Sequence, residues 1–306
     1  MRRLRISAIS YLNTAPLMWD FEHGDAGRNF DISYTLPSAC ARALQAGTAD
    51  IGIIPAAAYA QIPGLQVLPG VAIASRRAVR SILLVSKVPI EKIRSIALDT
   101  SSLTSVALTK ILFEKWLGGE RTFSAMEPNL DQMLASNDAG LLIGDPALQV
   151  DRSRYLTLDL AEEWIRHTGK PFVFAFWAIR QQALQEDVLC GDGLCGDGLC
   201  GDGRPRPSAS RSDARVPEQD LAAIFQQSRD HGLAPSSIDQ LTREWALPLG
   251  LREDEVRSYL TESIHYELDP GCIEGLQLFY RYAAEIGALP AAPELCFLNA
   301  AHAATV

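Results

Sequence analysis

Residues 5 to 55 repeat one unit three times: a short apolar segment of strand character, a break rich in Ser, Asn, Gly or Pro, then a stretch with helical spacing. Residues 5–9, 30–36 and 50–54 supply the strands. Thr14-Ala15-Pro16 opens a helix, with a capping residue ahead of an early-turn proline. Ser38 is placed to cap a second helix that Gly47 ends, and Pro55 starts a third. A βαβαβα order of this kind calls for a parallel sheet, because consecutive parallel strands need a crossover and the crossover helix covers the sheet face.

The pattern continues with strands over 67–75 and 81–86, with Arg76, Arg77 and Arg80 in or near the turn between them. A second α/β unit follows: strand 95–98, loop 99–104, helix 105–117, and strand 141–143 running into Gly144-Asp145-Pro146. The apolar segment 171–179, with Phe172, Phe174, Phe176 and Trp177, is expected to return the chain to the first unit. Such an out-and-back path predicts two lobes, 1–85 plus 178–306 and 86–177, with a hinge and a cleft between them. From Leu221 onward the spacing is helical, over 221–231, 237–247, 253–268 and 273–286, punctuated by Gly232, Gly250 and Gly287. The last pair is expected to form a helical hairpin on the first lobe, with its aromatic stripe, Tyr259 and Tyr280 included, buried as core.

Composition narrows the function. A net charge of −9 disfavours a nucleic-acid partner, because a polyanion is repelled over most of the surface. No apolar run approaches the ~20 residues needed to cross a bilayer, so no membrane partner is expected. The opening Met1-Arg2-Arg3-Leu4-Arg5 leads into a strand without a signal-peptide core, which predicts a cytoplasmic protein. Cys40, Cys272 and Cys296 are scattered, and Cys190, Cys195 and Cys200 belong to a tandem Leu-Cys-Gly-Asp-Gly repeat starting at Leu189, Leu194 and Leu199. That gives no disulfide framework, and the repeat has neither zinc-site nor calcium-repeat spacing. Residues 189–215 therefore read as a disordered surface insertion. Phosphate-loop, dinucleotide and His-Glu-x-x-His motifs do not occur, so no metal and no cofactor is expected.

Ligands of open α/β sheets bind beyond the carboxyl ends of the strands. Three polar corners stand there: Ser10-Tyr11-Leu12-Asn13-Thr14, Ser101-Ser102-Leu103-Thr104-Ser105 and Gly144-Asp145-Pro146. Each could serve merely to cap a helix. The second also combines hydroxyls with free amides and a helix dipole, the makings of an anion site. The five histidines lie outside all three corners, which leaves Asp145 as the nearest general-base candidate.

At these residues the chain resembles the chorismate dehydratases of the futalosine route to menaquinone. The likeness rests on Ile9-Ser10-Tyr11-Leu12-Asn13-Thr14-Ala15-Pro16-Leu17, the Gly47 to Pro55 strand, Val79-Arg80-Ser81-Ile82-Leu83-Leu84, Thr104-Ser105, Ile143-Gly144-Asp145-Pro146-Ala147-Leu148 and Gly169-Lys170-Pro171-Phe172-Val173. It runs from residue 5 to about 180 and resumes from Val216 to Phe297. The resemblance implies a two-lobed α/β fold of the periplasmic-binding-protein type II with a helical C-terminal segment. It implies an enzyme, a carbon–oxygen lyase that removes water from chorismate to give 3-[(1-carboxyvinyl)oxy]benzoate; a monomer and a homodimer are both open expectations. It places Asn13 and Ser81 at the substrate, with Thr104 and Ser105 at a carboxylate; together with the corners this makes Asn13, Ser81 and Asp145 the catalytic candidates and Tyr11, Thr104, Ser105 and Gly144 the substrate-binding ones. A non-enzymatic binding protein for a small carboxylate shares the fold and is the alternative; the effector domain of a transcriptional regulator would need an attached helix-turn-helix. Because the repeat departs from the family pattern, deleting residues 189–215 is expected to leave turnover nearly unchanged in a steady-state assay; a collapse would place the insertion at the site.

Overall fold

The computed structural model describes residues 2–185 and 218–298, so the repeat and the insertion expected over 189–215 lie outside the described residues. The strands are β1 Leu4–Ile9, β2 Phe30–Thr35, β3 Ile51–Pro55, β4 Leu65–Ser75, β5 Ile82–Ser86, β6 Ser95–Asp99, β7 Thr122–Met126, β8 Ala139–Ile143, β9 Leu156–Asp159 and β10 Phe172–Arg180. They form two five-stranded sheets, in the orders β2-β1-β3-β10-β4 and β7-β6-β8-β5-β9. In each sheet three strands run parallel, as the βαβ pattern demands. Every residue of β3 is buried, as expected for a central strand covered on both faces.

Of the two remaining positions in each sheet, the inner one is taken by an exchange. β10 enters the first sheet antiparallel to β3 and β4, and β5 enters the second antiparallel to β8 and β9. Each inserted strand arrives from the chain segment that completes the other sheet. The lobe borders expected at 85/86 and 177/178 therefore move to the crossovers just before Ile82 and just before Phe172. Apolar runs buried on both faces carry no alternation that could tell which sheet receives them.

The first crossover is pinned by one side chain. The buried Asp159 carboxylate accepts the backbone N–H of Val79 at 3.2 Å and of Arg80 at 2.7 Å. The same carboxylate caps the helix Leu160–Thr168 through the amides of Ala161 and Glu162 at 3.1 and 3.2 Å. Arg80 holds a left-handed φ of 68°, among the described residues a conformation otherwise confined to glycines. At the other end of the first sheet, Asp50 is fully buried; burial alone would raise its carboxyl, but Arg5 and Arg2 outweigh that and hold it well below the usual range.

Several local expectations change. The turn after β1 is a 3-10 helix, Leu12–Met18, entered from Tyr11 with no side-chain cap, so neither Asn13 nor Thr14 caps it. Ser38 lies inside the helix Pro37–Gln45, whose N-cap is Leu36. Residues 253–268 are not one helix and make no hairpin. A helix Glu253–Ser258 widens into the turn Tyr259–Ser263, and the chain then extends, with His265 and Ala74 exchanging backbone hydrogen bonds of 2.9 and 2.8 Å. Ile264, Tyr266 and Leu268 are buried while Glu267 is exposed, a period of two that helical spacing had masked. β7, β9 and the helix Leu160–Thr168 had no expectation at all. The helix Pro270–Glu285 lies against both β10 and the helix Leu103–Leu112, and Phe279 meets Phe172 edge-on at 5.3 Å.

Replacing Asp159 by Ala strands buried N–H groups at the crossover and uncaps a helix; the expected loss, read by urea unfolding, is about 2–4 kcal/mol.

Candidate functional site

The carboxyl ends of β1, β3, β6 and β8 point their following turns at one another across the two sheets. Between them lies a narrow cavity of about 50 Å3 whose polar lining is Tyr11, Asn13, Ser102, Thr104, Ser105 and Gly144. Ile82 and Phe174 are among its apolar walls. A larger open hollow of about 1010 Å3 lies elsewhere, against Arg94, Lys110 and Arg121, and holds none of these corners.

Gly144 is required by geometry. It follows β8 with φ 62°, its N–H donates to the Ser81 carbonyl at 2.8 Å, and a Cβ there would meet the Tyr11 ring at 2.7 Å. Tyr11 therefore lies flat against backbone, its phenol pushed up to about 12, chiefly by burial. Ser102 caps the helix Leu103–Leu112 by accepting the Ser105 N–H at 3.3 Å, and both serines line the cavity. Thr104 joins the lobes: its hydroxyl accepts the Ala57 N–H at 3.0 Å and donates to the Phe174 carbonyl at 3.2 Å. A carboxylate contact by Thr104 would have to displace the second of these bonds.

Ser81 and Asp145 stand behind the cavity rather than on its lining. Ser81 is fully buried and accepts the Tyr259 hydroxyl at 2.8 Å. Burial raises the Tyr259 phenol well above its ordinary value. The aromatic stripe that contains Tyr259 reads as core, and burial does describe its ring; the hydroxyl alone reaches the site. Asp145 accepts the Leu12 N–H at 3.0 Å across the lobes, and burial pushes its carboxyl up to about 6, against the pull of that amide. It does not cap its own short helix. Ser101, which opens the second corner, donates its hydroxyl and its N–H to the buried Asp99 at the end of β6 at 2.6 and 2.8 Å; Asp99 was not singled out.

Among the described residues, His265, Asp269 and Cys272 bring metal-type ligand atoms within 4.8 Å of one another. Asp269 there caps the helix Pro270–Glu285 and pairs with Arg76 at 2.5 Å, so a guanidinium already answers its charge. Among the described residues no helix is long and apolar enough to cross a membrane.

Two sheets with exchanged antiparallel strands and a polar cleft between their strand ends define a two-lobed protein of the periplasmic-binding-protein type. Over 95% of both chains it superposes on the periplasmic aliphatic sulphonate binding protein of Escherichia coli, with a TM-score of 0.59 and 15% identity. A protein from Archaeoglobus fulgidus matches 94% of this chain and 98% of its own with a TM-score of 0.67 and 17% identity. The chain belongs to the menaquinone biosynthesis family, whose model matches residues 4–191. The chorismate dehydratase of Thermus thermophilus is 29% identical over 200 residues, 60% of this chain and 72% of that protein.

Asp145 makes stability pH-dependent with a definite sign. Its folded carboxyl titrates at about 6, above the ordinary value of about 3.9, so the folded state holds a proton that the unfolded state releases. This contribution is full below the unfolded value and declines as pH rises from about 4 through about 6. Melting temperatures across that window should show the decline, and Asp145→Asn should flatten it.

Proposed function

We propose that the protein is a chorismate dehydratase, a cytoplasmic lyase converting chorismate to 3-[(1-carboxyvinyl)oxy]benzoate. The observation that carries this reading is the cavity itself, where Asn13, Tyr11, Thr104 and Ser105 from opposite lobes converge, in a chain of the menaquinone biosynthesis family. The Thermus relative supplies the reaction by its name. Neutral hydroxyls, a carboxamide and the N-terminus of the helix Leu103–Leu112 suit a dianion that must be oriented and then released.

In the reaction, the C–H electrons at the ring carbon bearing the enol ether become the new ring double bond. The neighbouring C–O bond breaks, and the hydroxide leaves with that pair and takes up a proton as water. Aromatisation supplies the driving force, so the protein's task is positioning and charge stabilisation. The substrate's own side-chain carboxylate is the proton acceptor in this reading. What supports it is that Asp145 is engaged by the Leu12 amide and does not line the cavity. Ligand sites usually measure roughly 300–1,000 Å3, so the lobes must part for chorismate to enter, breaking the bonds of Thr104 and Asp145 across them.

Incubating the protein with chorismate should yield an aromatic product, followed by ultraviolet absorbance and by the mass of one lost water. Asn13→Ala should lower kcat/KM by about 100-fold, whereas Asp145→Asn should retain the chemical step. Binding of chorismate without turnover would favour a carboxylate-binding protein, and loss of chemistry in Asp145→Asn with binding intact would make Asp145 the base.

A further inference from the structure

The open hollow of about 1010 Å3 shares no lining residue with the cleft. It is framed by the helix Leu103–Leu112 and its π-helical continuation Phe113–Leu117, the loop that follows, β7, and Ile286 at the end of the last helix. Three cations line it, Arg94, Lys110 and Arg121. Glu114 and Glu120 share the lining, yet no carboxylate among the described residues forms an ion pair with any of the three. Nearby Lys115, by contrast, pairs with Glu285 at 2.6 Å. Burial and the charge of Arg94 both hold the Arg121 guanidinium below its ordinary value, as expected where like charges crowd without a counterion.

Neutral groups hold these cations in place. Arg94 donates from Nη1 to the carbonyls of Glu91 and Ile93, both at 3.1 Å, and keeps Nε and Nη2 uncommitted among the described residues. Arg121 donates from Nη1 to the carbonyls of Gly118 and Gly119, and its guanidinium carbon lies 4.3 Å from the centre of the Phe113 ring. Gly119 has φ 83°, and a Cβ there would meet Arg121 Nη1 at 2.5 Å, so glycine at this position is what lets the loop wrap the guanidinium. Lys110 makes no hydrogen bond among the described residues; its Nζ stands 5.9 Å from the centre of the Phe123 ring with three N–H donors to offer. Carbonyls and rings orient positive charge without cancelling it, and that leaves the cancelling to an anion from outside.

We propose that this hollow is a second ligand site, taking a small aromatic polyanion such as an aryl phosphate. Its volume is close to the upper end of the range usual for ligand sites and exceeds what an inorganic ion fills. Phe123, 39% exposed, and Ile286 set an apolar face beside the cations, so the ring and the charge of one ligand are met together. Glu114 and Glu120 penalise an anion spread over the whole lining, which favours a ligand whose charge is concentrated in one head group. The free edge of Arg94 and the ammonium of Lys110 suit the several oxygens of such a group. The site stands whether or not the cleft acts on chorismate.

The probe is 1-naphthyl phosphate, with binding to the full chain read by equilibrium dialysis and by the fluorescence of its ring. Saturable binding is expected, weakened by about tenfold in Lys110→Gln and again in Arg94→Gln, the size of one charge-assisted hydrogen bond. Rising salt should weaken it further, and excess chorismate should leave the probe bound. Because Arg121→Gln would also release the loop, the affinity is judged on the other two variants. Inorganic phosphate should bind at least tenfold more weakly than the probe. Absence of saturable binding, unchanged affinity in both variants, or displacement by chorismate would overturn the site, and inorganic phosphate binding as tightly as the probe would overturn the aromatic class.

Discussion

The arrangement depends on how the chain crosses between its two sheets, and the Asp159 carboxylate governs the first crossing. Four backbone amides converge on it, two from the linking segment and two from the first turn of a helix. Backbone donors sequestered from water must be satisfied, so one buried acceptor shared among four fixes the linker and the helix relative to each other. With the linker fixed, Arg80 turns left-handed and Ser81 enters β5 at the back of the cavity. Both sheets then present their carboxyl ends to a common space.

That space is furnished with groups that are already engaged. Thr104 bonds to two backbone atoms of the other lobe, Ser102 caps a helix, Ser81 accepts the Tyr259 hydroxyl, and the Tyr11 ring packs on Gly144. Groups fixed before a ligand arrives lose little entropy in binding it, and fixed dipoles need no reorganisation as charge develops. Neutral donors and acceptors also avoid burying a cation that would hold a dianionic product too firmly.

Much of this was legible in the residues. β1 to β3 announced themselves because each strand ends in a turn former, and the three polar corners followed from the rule that strand ends face the ligand. Where local chemistry was ambiguous, the reading failed. β7 is largely exposed and only five residues long, so the brief alternation of Phe123 and Ala125 with Thr122 and Ser124 did not mark it as a strand. The run 264–268 fits helical spacing and strand alternation equally on a short stretch, and only its pairing with Ala74 decides. Ser81 was expected at the substrate, but its side chain lies behind the cavity, a matter of one residue in register. The contact of Tyr259 with Ser81 could not have been found, because periodicity reports the buried ring and says nothing of where the hydroxyl bonds.

The strand exchange has a consequence for synthesis on the ribosome. β3 and β4 have no direct pairing and are joined through β10, which lies more than 90 residues further along the chain. Until that segment emerges, the nascent first sheet exposes two open edges of unpaired amides and carbonyls beside apolar faces. Vectorial folding therefore stalls at a half-built sheet while the whole second lobe is translated, and this interval is when the polypeptide is most prone to aggregate or to recruit a chaperone.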